Sequence, residues 1–574
     1  MKTISIDIET YSSVDLIKCG VHRYAEAPDF KILLFGYSVD GCPVRVIDLE
    51  HGEKIPPKIL AALTNDGVLK WAWNAMFERV CLSRHLLGIG KYIEPKSWRC
   101  SMVWAATLGL PLALEWAGEV LNLEQRKMSE GKRLIKKFCV PSKTQQYSLT
   151  EDSDWQTFKD YNRVDVEVEM AAKERFADFP VSDEEWELYA IDQRINDRGV
   201  LLDMALVDKA VDMDGYCGKH NKTSIAKYYA MQNCVCADNR VRGLFQFCGS
   251  RTGRWVGRNV QAQNLPATTL PDLEQARSLV KRGDMEMVEL LYDSVPEVLS
   301  ELIRTAFIPK SGNKLIVSDF SAIEARVLAW LAGETWRNEV FATHGKIYEA
   351  SASAMFNIPL DRIDKPLRSK GKVAELALGY GGSVAALKSM GALSMGLTEG
   401  ELPSLVKAWR SANPNIVKFW YAVDRAAIQA VGERIPVETH GLRFECKHEW
   451  LFIILPSGRR LAYYKPQIGE NRFGKPCVSY MGIGTNKRWN RIESYGGKWV
   501  ENICQSVARD LLAYSLKTLQ NYDVVMHIHD EAVLEVPQNV KVETVCGLMS
   551  RLPEWAAGLI MKADGFESNF YRKD

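Results

Sequence analysis

The stretch from Lys314 to Leu331 limits what this chain can fold into more than any other. Leu315-Ile316-Val317-Ser318 is apolar and β-branched enough for a short buried strand, and Ile323 to Leu331 carries apolar residues at helical spacing. Strand therefore runs into helix within a few residues, and Asp319 stands at the junction. A carboxylate on so fixed a scaffold suits a divalent cation that wants hard oxygen ligands, while the same residue could instead cap the helix. A second stretch, Val524 to Val536, reads as strand, tight turn and strand, with His529, Asp530 and Glu531 in the turn. Acids are ordinary in turns, yet between two apolar strands these can face Asp319. Together they could hold two metals about 4 Å apart, the geometry of in-line phosphoryl transfer.

Asp319-Phe320-Ser321-Ala322-Ile323-Glu324, followed by Arg326, and then His529-Asp530-Glu531 resemble motifs A and C of the family A DNA polymerases, the group of bacterial DNA polymerase I and several phage replicases. Between them, Arg368, Lys372, Leu376 and Tyr380, with Gly381 after, fall at four-residue steps that keep side chains on one helical stripe and resemble motif B. Alone, that stripe is equally a solvated basic helix face. The resemblance implies a right-hand polymerase that extends primer-template DNA with deoxynucleoside triphosphates. In it Asp319 and Asp530 bind two Mg2+, with Mn2+ as an alternative, Glu531 supports them, and Lys372 gives a proton to the leaving pyrophosphate. Arg368 neutralises phosphate charge, and His529 lies with the substrate. Glu324 closes the nucleotide pocket beside the 2′ position of the sugar, against Tyr380. Arg251-Thr252-Gly253-Arg254-Trp255 resembles the segment that tracks the primer, which brings Arg254 to its terminal base pair. Gln505 of Gln505-Ser506-Val507-Ala508-Arg509-Asp510 is expected near the minor groove.

At the N-terminus, Thr3 to Thr10 alternates strictly, so Ile4, Ile6 and Ile8 share one strand face and Asp7 and Glu9 the other. Glu78 falls early in a helix after Trp73-Asn74-Ala75, and Tyr161 and Asp165 stand one helical turn apart. These residues resemble the DEDD 3′ to 5′ exonuclease motifs in the tyrosine version. The resemblance implies two metals held by Asp7, Glu9, Glu78 and Asp165, with Tyr161 orienting the attacking water. Glu78 departs from the family, which usually has Asp there.

The 574 residues suggest two to four domains. Phe179-Pro180 and the capping pattern from Ser182 mark a boundary. The expected architecture mixes α/β and α+β: a ribonuclease-H-like 3′ to 5′ exonuclease domain over 1–180, then a polymerase over 181–574. Its thumb takes about 186–248, its palm about 249–333 and 421–574, and its fingers about 334–420. Fewer than sixty positions separate Arg198 from Arg254, with Thr223 to Met231 resuming after the tip, and since the family it resembles spends roughly twice that length there, the resemblance implies a reduced thumb. A processivity factor is therefore an expected partner. Net charge is only +1, so basic residues must be concentrated locally to meet DNA, and Gly458 to Lys498 holds nine Lys or Arg against two Glu. Thirteen cysteines without paired CxxC spacing indicate neither a zinc site nor a disulfide framework. No apolar run is long enough to span a membrane, and the expected location is cytoplasmic, the host cytoplasm for a phage protein.

Overall fold

The computed structural model describes residues 1–124, 128, 130–141, 153–216, 225–266, 268–471 and 473–573. Alternation builds β1 (Thr3–Tyr11), with Ile4, Ile6 and Ile8 buried on one face. It is the middle strand of a five-stranded sheet with β2 (Lys31–Val39), β3 (Arg45–Asp48), β4 (Leu69–Ala72) and β5 (Trp98–Cys100), in the order β3-β2-β1-β4-β5. β1 runs antiparallel to β2 and parallel to β4, a mixed sheet. Two helices pack on it, α1 (Ala75–Leu87) and the long α2 (Ser153–Phe176). Asn162 of α2 donates to the main-chain oxygen of Asp7 at 3.2 Å and to its Oδ2 at 2.7 Å, which ties helix to strand beside the acids.

After the linker, Ser182 accepts from the Glu185 N–H at 3.3 Å and starts α3 (Asp183–Arg198). This helix is bolted to α1 by a buried ion pair. Arg79 of α1, 1% exposed, donates to both oxygens of Asp197 at 2.8 Å, and His22 Nε2 lies 3.0 Å from Asp197 Oδ1. Breaking such a pair from one side strands a buried charge, which costs about 3–5 kcal/mol. Asp197→Ala is therefore expected to lower the first unfolding transition in urea by that order, and Arg79→Met in the same chain should recover much of it. A loss under about 1 kcal/mol would contradict a dry junction.

β6 (Val200–Leu202) and β7 (Arg240–Val241) enclose two helices, α4 (Met204–Tyr216) and α5 (Ala226–Cys234), in the span expected as thumb. Thr223 and Ser224, from the segment expected after the thumb tip, lie outside the described residues. β8 (Phe307–Ile308) completes a small antiparallel sheet in the order β8-β6-β7. β9 (Asn313–Phe320) then gives way to α6 (Ile323–Ala332), followed by α7 (Lys365–Leu378) and α8 (Pro414–Glu433).

Within 421–574, expected as one palm segment, the strands form two sheets. The first is a six-stranded antiparallel meander of β10 (Val437–Thr439), β11 (Leu442–Lys447), β12 (Trp450–Ile454), β13 (Arg460–Glu470), β14 (Pro476–Ile483) and β15 (Trp489–Glu493). Its central strands, β12 to β14, are covered on both faces. Phe444, Leu451, Leu461 and Tyr463 lie on the side of α8, while Trp450, Phe452, Ala462 and Tyr464 pack against Trp104, Leu108 and Phe179 of the N-terminal part. Trp450 also donates to the Leu108 oxygen at 2.9 Å. The sheet thus fills the space between the two halves of the molecule.

The long α9 (Gly496–Thr518) follows, and two glycines start it for a steric reason. A Cβ at 496 would strike the Trp420 carbonyl, and one at 497 the Tyr380 carbonyl. β16 (Asp523–Ile528), β17 (Glu531–Pro537) and β18 (Ala563–Ser568) join β9 in the second sheet, all antiparallel, in the order β16-β17-β9-β18.

Candidate active sites

The first site lies at one end of the four-stranded sheet. Asp319 is in register with Glu531 on β17 and with Asp564 on β18. Residues opposite one another on antiparallel strands share a face, so three acids are brought together from distant parts of the chain. The β16–β17 connection is a two-residue turn, His529-Asp530, with His529 at φ 56°, and the Phe320 N–H donates to the Asp530 main-chain oxygen at 3.1 Å. That bond sets the turn directly against the end of β9. The strand outlasts Asp319, and α6 starts from Ala322 at φ 50° without a side-chain cap, so Asp319 does not cap the helix.

Burial first, and then the Asp530 charge, pushes the Asp319 carboxyl up to about 7. Asp530 and Glu531 are also raised, chiefly by burial. Like-charged acids held this close are costly until a cation joins them. Asp319 Oδ1 is buried without a hydrogen-bond partner, an orphaned acceptor that fits a metal ligand. One cation arrives from the C-terminal segment: Lys573 Nζ lies 3.8 Å from Asp319 and 3.9 Å from Glu531. The Tyr571 hydroxyl donates to Glu531 Oε1 at 2.8 Å and accepts from Arg304 at 2.8 Å, which fixes Glu531 in place.

Around the acids, Glu324 bridges two groups, accepting from Arg254 at 2.8 Å and from the Tyr380 hydroxyl at 2.8 Å. Arg368, Lys372 and Leu376 are exposed along one stripe of α7, and Tyr380 falls two residues past its end. Arg368 donates to Glu349 at 2.8 Å, so its guanidinium is paired on the neighbouring helix here. The C-terminal half of α7 is anchored by Glu375, which accepts from Arg337 at 2.9 Å and from Ser351 at 2.7 Å. Gln505 stands half-buried on α9, and Asn502, one turn earlier, gives its amide to the Tyr463 hydroxyl at 3.1 Å.

The second site lies on the acidic face of β1. Ligand oxygens of Asp7, Glu9 and Asp165 all lie within 4.8 Å of one another, and among the described residues this is the only such group of three. Glu78, in the first turn of α1, is 4% exposed with Oε2 lacking a hydrogen-bond partner. Burial, and next the Asp7 charge, raises its carboxyl well above the usual range. A cluster so arranged fits divalent cations bound through oxygen. Burial and then Asp165 also raise the Tyr161 phenol, which keeps its proton to donate.

Several residues of these sites escaped the sequence. Asp564, Tyr571 and Lys573 lie more than 200 positions from Asp319, with no spacing to announce them. Only the Tyr495-Gly496-Gly497 run before an apolar helix could have hinted at the close approach to Tyr380.

The family model for DNA polymerase family A matches residues 216–437. A DNA polymerase of Bacillus phage SP02 is 49% identical, covering 100% of this chain and 100% of that protein. DNA polymerase I of Pseudomonas aeruginosa is 26% identical over 45% of this chain and 24% of its own length. The thermostable DNA polymerase I of Thermus aquaticus is 23% identical over 45% of this chain and 26% of its own length. Among solved structures, the POL domain of Pol1 from M. smegmatis, in complex with DNA primer-template and dNTP, matches the fold with a TM-score of 0.60 at 14% identity, over 99% of this chain and 95% of that one.

Proposed function

The chain belongs to DNA polymerase family A and is a DNA-directed DNA polymerase of DNA replication, and from that premise we propose which of its residues carry the reaction and what second activity it holds. Residues 1–180 are assigned to a 3′ to 5′ exonuclease and 181–574 to the polymerase, with a thumb near 186–248, palm at 249–333 and 421–574, and fingers at 334–420. The six-stranded sheet is then a palm addition that braces the exonuclease.

In the polymerase site, Asp319 and Asp530 would hold two Mg2+, with Mn2+ as an alternative, and Glu531 supports them from beside Tyr571. Such ions, when bound, lower the pKa of the primer 3′-hydroxyl and balance charge on the triphosphate. The single observation that carries this reading is the orphaned, buried Asp319 Oδ1 among raised carboxyls. Arg368 and Lys372 offer their charge to the triphosphate from the open stripe of α7, and Lys372 is the proton donor to the leaving group. Arg254, Gln505 and His529 meet the primer-template and the incoming nucleotide. Lys573 balances the acids until substrate arrives.

For the second activity, Asp7, Glu9, Glu78 and Asp165 would hold two more Mg2+, and the protonated Tyr161 orients a water for attack on the terminal phosphodiester. The convergence of three acids within 4.8 Å supports it. The substrates proposed are primer-template DNA and deoxynucleoside triphosphates, with a processivity partner to supplement the small thumb. The site of action is the cytoplasm of a phage host. No helix among the described residues is long and apolar enough to cross a membrane.

The Glu324 bridge gives a test of sugar choice. Its carboxylate is pinned by Arg254 and Tyr380 at 2.8 Å each, so it cannot swing aside cheaply for a ribose 2′-hydroxyl. Glu324→Ala should raise ribonucleotide use relative to deoxyribonucleotide at least about tenfold, roughly 1.4 kcal/mol of discrimination. It should also slow correct incorporation, because Arg254 and Tyr380 lose their shared acceptor. Single-turnover kinetics with both sugars measure the ratio, and an unchanged ratio would remove Glu324 from the sugar pocket.

A further inference from the structure

The basic stretch from Gly458 to Lys498 is used by neither site. Part of its charge is neutralised within the fold: Arg459 pairs with Asp510 at 2.6 Å, Lys465 with Glu449 at 3.5 Å and Lys498 with Glu501 at 2.9 Å. The turn between β14 and β15 is different. From Met481 to Ile492 the sequence holds no acid, and Lys487, Arg488 and Arg491 are all exposed. Among the described residues no carboxylate pairs with these three.

The turn is braced from within. The Gly484 N–H donates to the Arg488 oxygen at 2.9 Å, the Lys487 N–H to the Gly484 oxygen at 2.9 Å, and the Arg488 N–H to Asn486 Oδ1 at 3.0 Å. Lys487 takes the left-handed conformation at φ 59°. Arg491 donates to the main-chain oxygens of Lys465 at 3.1 Å and Ser479 at 3.4 Å, which fixes its guanidinium on the sheet without cancelling its charge. The Arg491 guanidinium, held this way, loses little further freedom when it meets an anion, and the braced backbone fixes where Lys487 and Arg488 leave the turn.

The surroundings identify the anion. At the base of the turn, Arg251 lies against Gly482, with its guanidinium carbon 4.8 Å from the Tyr480 ring centre and 5.9 Å from that of Tyr463. Arg251 opens the segment whose Arg254 pairs with Glu324 beside the polymerase acids. The unneutralised cations therefore flank the segment assigned to the primer terminus, in a protein whose proposed thumb holds, among the described residues between β6 and β7, the two helices α4 and α5.

We propose that the turn Ile483–Trp489, together with Arg491, binds the phosphate backbone of duplex DNA behind the primer terminus, as a fixed cationic rail that adds to the grip of the short thumb. It rests on the reading of Arg254 as a primer contact. Each phosphate neutralised contributes about 0.9 to the slope of log affinity against log salt.

The test is fluorescence anisotropy of a labelled primer-template duplex, in EDTA to prevent digestion, titrated with the full chain at several NaCl concentrations. Lys487→Ala with Arg488→Ala should lower the magnitude of the slope by about 1.8 and weaken binding at low salt at least tenfold, with the melting temperature unchanged. Should the alanine chain melt early, Lys487→Gln with Arg488→Gln is the variant to read, with the same expected slope. An unchanged slope in a stably folded variant overturns the proposal and leaves the turn to an acidic protein partner. Arg254→Ala separates the two readings. If it extends primers at the wild-type rate, the primer-terminus assignment falls, while a slope lost in the turn variant still marks a DNA-binding turn.

Discussion

Asp530→Asn should abolish nucleotide incorporation in a protein that still folds. Asparagine has the shape of aspartate and is equally at home in a two-residue turn, so the bond from the Phe320 N–H to the main-chain oxygen at 530 survives. What disappears is the negative charge. Burial raises the carboxyls of Asp319, Asp530 and Glu531, and the Asp530 charge adds to the rise at Asp319, so a cation is wanted at this point and an amide at 530 removes much of the reason for it to bind. Losing several kcal/mol of transition-state stabilisation corresponds to a rate loss of at least about 1,000-fold. Pre-steady-state primer extension reads it, and retention of more than about a tenth of the wild-type rate would remove Asp530 from the metal-holding set.

The second large effect is expected at the other end of the chain. Asp7→Ala with Glu9→Ala takes away two of the three acids that converge within 4.8 Å. Degradation of a mismatched primer should fall by at least about 1,000-fold, and extension of a matched primer should stay near wild type, because the two acid clusters sit on different sheets. The variant should melt no earlier than wild type in EDTA, since removing carboxylates from a cluster relieves like-charge repulsion. Persistent shortening by the purified double mutant would overturn the nuclease assignment. Early melting would show that the acids are braced by contacts whose structural worth exceeds their repulsion.

The parts of this fold legible in the sequence were those governed by local rules. Strict alternation marked β1 and the face carrying Asp7 and Glu9, and the change of period after Ser318 marked β9 and α6. The DNA polymerase family could be read from motif order, and the 49% identity to a phage DNA polymerase shows it. The six-stranded sheet stayed hidden because its central strands are buried on both faces. Trp450-Leu451-Phe452-Ile453-Ile454 is a continuous apolar run, which periodicity cannot distinguish from a buried helix segment. Tyr571 and Lys573 were invisible for another reason: their roles come from tertiary closure of the C-terminal segment onto Glu531 and Asp319, and nothing local encodes that. The buried pair of Arg79 and Asp197 was likewise unreadable, since each looks alone like a surface charge on a helix.

One experiment addresses the claim that a single chain carries two separate acid-built sites working in opposite directions. A 5′-labelled primer with a mismatched 3′ end is incubated with Mg2+, with and without deoxynucleoside triphosphates, using the wild type, Asp530→Asn and the Asp7→Ala, Glu9→Ala double variant. The wild type should shorten the primer without nucleotides and, with them, remove the mismatch and elongate. Asp530→Asn should only shorten, and the double variant should neither shorten nor correct, though it still elongates a matched primer. If Asp530→Asn elongates, or if the double variant shortens, the two sites have been assigned to the wrong residues.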